Sequence, residues 1–569
     1  MKNLRNYVLA VFMLLLMAEI AMPCTTILVT KGASKDGSVF VSHSDDDELG
    51  DQRIIYVPAM DHPEGAMRPV YYDPCCFGGG NIRYVGMSRG PGYFDPSLPA
   101  TKPIGFIPQV AHTYAYFDAN YGIMNEHQLM IGECTDGAKI ELQPDSGRRI
   151  FYSAELSRIA LERCTKAREA VELIGHLIDT YGYYGTGETL LIGDPEEGWV
   201  IEMCCGTMDS LGGLWVAKKV PDGQIFAAAN EFRIRDVDPE DPDMLFSANL
   251  HETAQKRGWW NPSQGKLDWL KTVSYGEYNH PYYSLRRVWR IYDRVKPSAK
   301  YSAWVEDGYT REYPFSIVPD QKLDAKDVMS LHRDHYEGTE FDMTQGPAAG
   351  PFGCPYRWIG KYDGNQNDAN KDGQEVIGAW ERPISVFYAG YVYVNQGRSW
   401  LPDAVGGICW FGPDKPYLTC FVPFYTGMND LPLSYQSGNT EKFSTDVAWW
   451  AFNFVANWAA VKFSYMKEDI LKLQNEIEEK EFLLAQETDK KAQEAYASSP
   501  ELARSILTET CISNADNVVK QWWELGWFLV QKYDDGYVNN PEIAEEVGYP
   551  EWWRKEVGYQ NGPVSYQKK

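Results

Sequence analysis

The chain has 569 residues, 44% of them hydrophobic and 14% aromatic, which is more than one ordinary core and points to two or three domains or one large elaborated domain. Its 54 basic and 79 acidic residues leave a net charge of −25, which argues against nucleic acid as a partner. Beyond the first two dozen residues no apolar run reaches bilayer-spanning length, so no stable membrane span is expected.

The first 23 residues read as an export leader. Lys2 and Arg5 form a charged start, 8–17 is almost wholly apolar, and small residues follow at Ala18 and Ala21. That is the order of a signal peptide, too short for a permanent transmembrane helix. The expected location is the periplasm or the external medium. Removal of 1–23 makes Cys24 the first residue, carrying a thiol nucleophile and an α-amine together. An α-amine titrates near 7.7–8.0, so at neutral pH it can take the thiol proton without a distant histidine. Ala21 suits a leader cut directly after it, but Glu19 two positions earlier does not, and that cut leaves Met22 and Pro23 for a second step. Two other readings stand beside this one. Cys24 can be a buried structural cysteine opening a strand, or the lipid-bearing anchor of a surface binding protein, which Ala21 and Pro23 fit poorly.

After the leader, 25–30 is β-rich, 31–37 carries turn residues, and 38–42 returns, which predicts a hairpin. Strand-like runs follow at 114–117, 129–131, 190–192, 199–203, 214–217 and 225–229, and again at 384–394, 407–411 and 417–424. Helical periodicity is expected over 153–181 and 285–295. From about 441 the character changes to aromatic-rich and then Glu/Lys/Leu-rich helix, broken at Ser499-Pro500 and resumed over 501–532. The expected layout is therefore a leader over 1–23, a mixed strand-and-helix domain over 24–440, and a helical extension over 441–569 that packs on it.

Eleven cysteines in an exported chain suggest one free thiol and up to five disulfides. No Cys-x-x-Cys occurs and the nine histidines show no zinc spacing, which argues against a zinc site. Asp368, Asn370 and Asp372 with Gly373 form the first half of a calcium-type loop, but Ala379 replaces the closing glutamate. A polar surface turn is the stronger reading, and calcium there would be structural.

The start Cys24-Thr-Thr-Ile-Leu-Val29, followed by Gly37-Ser-Val-Phe-Val-Ser-His-Ser-Asp-Asp46, resembles that of the C69 dipeptidases. These are N-terminal-nucleophile (Ntn) hydrolases related to bile-salt hydrolases and penicillin V acylases. The resemblance continues in order through Asp118-Ala-Asn-Tyr-Gly-Ile-Met-Asn-Glu-His127, Gly187-Glu-Thr-Leu-Leu-Ile-Gly-Asp-Pro195 and Ala227-Ala-Ala-Asn-Glu231. Ser284-Leu-Arg-Arg-Val-Trp-Arg290, His335-Tyr-Glu-Gly-Thr339, Ala348-Ala-Gly-Pro-Phe-Gly353 and Arg382-Pro-Ile-Ser385 extend it, over about 24–430 in all.

The resemblance implies an α+β fold, a four-layer αββα sandwich, and amide hydrolysis through a Cys24 thioester with no cofactor required. The implied substrate is a small peptide, the nearest alternative being a linear N-acyl amide of the bile-salt or penicillin V type; oligomerisation is left open. Asp46 matches the aspartate that follows the first hairpin and would orient the Cys24 ammonium or thiol. His43 stands where the bile-salt relatives carry arginine, which would make cationic support of a thiolate pH-dependent. Asn230 matches an amide that contacts substrate or oxyanion, a contact worth roughly 3–4 kcal/mol. Thr135 is the expected second donor, and Arg287 the cation near the cysteine; Arg286 and Arg290 read as surface helix charges. Asp45, His43 and Glu133 are the expected substrate-binding groups, the carboxylates meeting a free ammonium.

Overall fold

The computed structural model describes residues 24–47, 50–72, 83–145, 147–206, 212–277, 282–305, 307–358 and 380–562. The leader, Glu48, the Cys75-Cys76 pair and the calcium-type loop with Asp368, Asn370 and Asp372 lie outside them.

Cys24 leads directly into β1 (Thr25–Val29), whose β-branched run pairs antiparallel with β2 (Val39–Asp45), Thr26 opposite His43. The expected hairpin is present, its connection holding a short 3-10 turn at Lys31–Ala33. These strands are central in a seven-stranded sheet that continues through Ile225–Ala228 on one side and Tyr391–Gly397 on the other. A second sheet of eight strands includes β3 (Met130–Asp136), Gly187–Gly193, Gly198–Cys205 and Gly213–Lys219, all antiparallel neighbours.

The two sheets face each other closely enough to exclude side chains at particular positions. A Cβ on Gly132 of β3 would lie 2.6 Å from Thr26 Oγ1, and one on Gly198 would lie 2.6 Å from the Leu28 methyls. Because strand side chains alternate, Cys24, Thr26 and Leu28 share one face of their strand, and the contacts of Thr26 and Leu28 show that it is the face turned to the other sheet.

Each sheet is covered by helices on its other side. Helices α1 (Ser153–Arg163) and α2 (Ala167–Tyr181) pack on the eight-stranded sheet through Leu156, Ile159, Ile174 and Ile178. The sequence predicts one helix here; two form, with a break at Cys164 and a glycine in the left-handed region, Gly182, after the second. Helix α3 (Leu285–Val295) packs against Ile225–Ala228, and α4 (Ala325–His332) against Tyr391–Gly397. Beyond residue 441, α5 (Ala448–Ala459), α6 (Phe463–Tyr496) and α7 (Pro500–Lys532) lie against the strands Ile408–Pro413 and Val422–Tyr425. At the expected break, Ser499 caps α7 by accepting from Leu502 N at 3.2 Å, with Pro500 at the first helical position. The extension is not wholly helical, since Tyr537–Asn539 and Ala544–Glu546 form a small hairpin.

Two expectations are corrected. All nine described cysteines are free thiols rather than disulfide partners. Eight of them are buried and occupy core positions as small apolar residues. Arg286 and Arg290 are not surface charges: Arg286 is fully buried over the rings of Phe341 and Trp304, and Arg290 pairs with Asp334 at 2.8 Å.

Candidate active site

Cys24 is wholly buried at the head of β1, and its backbone carbonyl is the anchor of the site. The Arg287 guanidinium, carried on α3, reaches it. Nη1 donates to Cys24 O at 2.6 Å and to Thr25 Oγ1 at 2.9 Å. Nη2 donates to Asn230 Oδ1 at 2.7 Å and Ala229 O at 3.1 Å, and Nε to Tyr283 O at 3.0 Å. All five N–H groups of the side chain are therefore committed to protein acceptors. Arg287 lies beside the cysteine, as expected, and its contact there is with the backbone carbonyl, which makes it a clamp on the chain at Cys24.

Asn230 follows the strand Ile225–Ala228 in the left-handed region, φ 65°, a conformation asparagine tolerates better than most side chains. That turn brings its carboxamide between Arg287 and Thr135 O, to which Nδ2 donates at 2.7 Å. Its backbone N–H donates to the sulfur of Cys134 at 2.7 Å. The Cys134 thiol in turn points at Cys24 O, 3.7 Å away. Thr135 spends its hydroxyl on Glu133 Oε1 at 2.9 Å, so in this arrangement that hydroxyl is an orienting group for Glu133 and not an open donor.

Three carboxyl groups surround the thiol. Asp45 ends β2 and accepts from Asn120 Nδ2 at 2.5 Å. Asp46 accepts from Ser44 Oγ at 3.3 Å and from the Arg382 guanidinium, an ion pair inside the protein. Glu133 comes from β3 in the facing sheet. The acidic run is thus folded inward: Asp45, Asp46 and Asp47 are all buried. Burial pushes the Asp46 carboxyl up to about 6 in spite of Arg382 and Arg287. It also raises Asp45, with Asp47 adding to the effect, and Glu133, with Glu188 adding to it. Cys24 is itself raised well above a normal thiol, first by burial and then by Glu133, Asp45 and Asp46.

His43 sits beside these groups, boxed by Tyr121, Tyr391 and Tyr393. Its Nδ1 donates to Glu133 O at 2.8 Å, since a carbonyl only accepts. Burial lowers its pKa to about 4, so at neutral pH it carries no charge. The expected pH-dependent cation is therefore absent from His43. The guanidinium that faces Asp46 is Arg382, 336 residues further along the chain.

All eight of the described residues singled out from sequence, Cys24, His43, Asp45, Asp46, Glu133, Thr135, Asn230 and Arg287, converge on this one place. Three neighbours were missed. Arg382 opens the Arg-Pro-Ile-Ser segment, which signalled importance but no role; Asn120 lies in a motif in the same way; Cys134 gave no signal, being one cysteine among eleven. Asn120 also links the site outward. Asn120 Oδ1 accepts from Asp51 N at 3.0 Å, Arg53 clamps Asp51, and Arg53 lines an open cleft of about 770 Å³ with Arg83, Phe94, Asp430 and Lys442.

Residues 99–476 match peptidase family C69, and the chain belongs to that family. It is therefore a peptidase. It is 26% identical to a probable dipeptidase of Salmonella dublin over 422 residues, 73% of this chain and 83% of that one. It is 27% identical to a probable dipeptidase of Latilactobacillus sakei over 299 residues, 52% of this chain and about half, 55%, of that one. Against dipeptidase A of Lactobacillus helveticus it is 22% identical over 541 residues, 90% and 98% of the two chains. Among the described residues, no helix is long and apolar enough to cross a membrane.

Proposed function

We propose that the protein is an exported cysteine dipeptidase of the N-terminal-nucleophile type, on a four-layer αββα sandwich made by its two facing sheets and their outer helices. The observation that carries the reading is the ring of buried carboxyls around Cys24. In a chain that retains residues before Cys24, that ring holds the thiol protonated. Removal of those residues places an α-amine in the same ring, where Asp45, Asp46 and Glu133 favour a cation.

In the proposed cycle the α-amine takes the thiol proton as sulfur attacks the amide carbonyl. Negative charge develops on the carbonyl oxygen, for which the Asn230 carboxamide, held by Arg287, is the proposed donor. The ammonium of Cys24 passes its proton to the departing amine, the C–N bond breaks, and a thioester remains. Water adds to the thioester with the amine again as base, releasing the acid and restoring the thiol. No cofactor is required. Asp46 holds the α-amine, Arg382 holds Asp46, and Arg287 fixes the cysteine backbone. Asp45 and Glu133, with His43 orienting the latter, meet the substrate's free ammonium. Names of the relatives support the dipeptide class.

Secreted material is tested by N-terminal sequencing alongside a panel of Ala-Ala-type dipeptides, their N-acetyl forms and glycocholate. Cys24 at the N-terminus and cleavage of unblocked dipeptides only are expected, because an acetylated substrate leaves buried carboxylates unpaired. Preference for acylated substrates transfers the reading to the linear-amide acylases, and lipid mass on Cys24 transfers it to a surface anchor. A chain confirmed intact through Pro23 that works as fast as processed protein refutes the α-amine as base.

A further inference from the structure

The Cys24 sulfur and two side chains from the facing strands form a cluster with a property that hydrolysis does not use. The Cys24 sulfur, a His43 ring nitrogen and a Glu133 carboxylate oxygen all lie within 4.8 Å of one another, and all three residues are fully buried. His43 Nδ1 lies 4.0 Å from Glu133 Oε2 and donates to Glu133 O, so the bare lone pair is on the other ring nitrogen, Nε2, which has no hydrogen-bond partner among the described residues. Thr135 occupies Glu133 Oε1. A buried imidazole nitrogen without a partner, a thiol and a carboxyl beside Glu188 thus converge, and an unpaired buried acceptor is costly.

We propose that Cys24, His43 and Glu133 form a binding site for a thiophilic divalent cation of the zinc class, and that the bound cation blocks the nucleophile. Softness favours zinc over magnesium or calcium, since one ligand is sulfur. Tetrahedral zinc with bonds of about 2.0–2.3 Å sets its ligand atoms about 3.4 Å apart, so the side chains close by about an ångström around it. On binding, the thiol proton and any proton on Glu133 leave to solvent as the metal–sulfur and metal–oxygen bonds form, and nothing is oxidised or reduced. Thiolate, carboxylate and dication sum to zero charge, which suits a buried site. Both orienting hydrogen bonds that such ligands need, His43 to a carbonyl and Thr135 to the carboxylate, are already made.

The ligands come from the residue before β1, from β2 and from the facing sheet, at positions 24, 43 and 133, which is why no spacing in the sequence announces them. The block on activity, though not the binding, rests on Cys24 being the nucleophile. If Cys24 becomes the first residue, its α-amine supplies a fourth donor in a five-membered chelate with the sulfur, and binding tightens.

The test is titration of the purified full chain with Co²⁺, read by its sulfur-to-cobalt absorption, followed by displacement with Zn²⁺. One site per chain is expected. Cys24→Ser should abolish the sulfur band, and Glu133→Gln and His43→Gln should each weaken binding about tenfold or more. Cys134→Ser and a Cys75→Ser/Cys76→Ser double variant should leave it unchanged, with circular dichroism confirming that every variant is folded. The matured chain should bind at least about tenfold more tightly than the unprocessed one. No sulfur band, a band that survives Cys24→Ser, or affinity unaffected by Glu133→Gln overturns the site. Because the readout is spectral, a chain that cleaves dipeptides but shows no band overturns this inference alone, and one that binds zinc but cleaves nothing overturns the dipeptidase reading alone.

Discussion

Arg287→Lys separates a clamp from a charge. Lysine keeps the positive charge but has three N–H donors in place of five, in a shape that cannot span the same acceptors. The five partners are Cys24 O, Thr25 Oγ1, Ala229 O, Asn230 Oδ1 and Tyr283 O, so at least two lose their donor. A buried acceptor left unpaired costs about 1–3 kcal/mol, which gives about 2–6 kcal/mol for the substitution. That is a large part of the 5–15 kcal/mol typical of a folded domain, so the variant should fold but unfold early. Displacement of the Cys24 backbone by about an ångström should also lower kcat about a hundredfold. Urea unfolding followed by tryptophan fluorescence and turnover of an unblocked dipeptide give the two numbers. A loss below about 1 kcal/mol with kcat unchanged would refute the clamp and return Arg287 to the role of a simple positive charge.

Cys24→Ser should reduce dipeptide turnover by orders of magnitude and Cys24→Ala should abolish it, with the fold intact; Cys134→Ser, which keeps a hydroxyl under Asn230 N, should retain most activity, and equal losses in the two would point to a structural thiol pair. Arg382→Met leaves the Asp46 carboxylate buried without its cation, a loss of about 3–5 kcal/mol, and should move the acidic limb of the pH–rate profile upward from about 6; an unmoved limb would detach Asp46 from catalysis. Glu202 lies in the core with its carboxyl raised to about 7 from 4.5, chiefly by burial. An acid whose folded pKa is raised costs stability as pH rises from the unfolded value through the folded one, here across pH 4.5–7, by about 3 kcal/mol in all. Glu202→Gln should therefore gain on the wild type by that amount between pH 5 and pH 8 in urea unfolding, and an equal difference at both pH values would mean that native Glu202 is already ionised.

The sequence by itself determined the local features and put Cys24 forward as the candidate nucleophile. The β-rich run at Thr25–Val29, the Ser499-Pro500 break and the long Gly- and Pro-free stretch after residue 467 specify their elements through nearest-neighbour physics, which is visible in one dimension. The position of Cys24 behind a charged and then apolar stretch marked it as the candidate, and the motif resemblance supplied the residues that gather around it. What each of those residues does was decided only by tertiary structure. His43 reads as a titrating cation until three tyrosines and the opposite sheet remove its water. Arg287 reads as a charge until five acceptors from three segments take all its protons. The acidic run from Asp45 reads as carboxylates near the cysteine, and only Arg382, Asn120 and the facing sheet, closing over it, decide that they are buried and how they are paired. Ionisation state and hydrogen-bond commitment are set by burial and by partners hundreds of residues away, and those are properties of the packed chain.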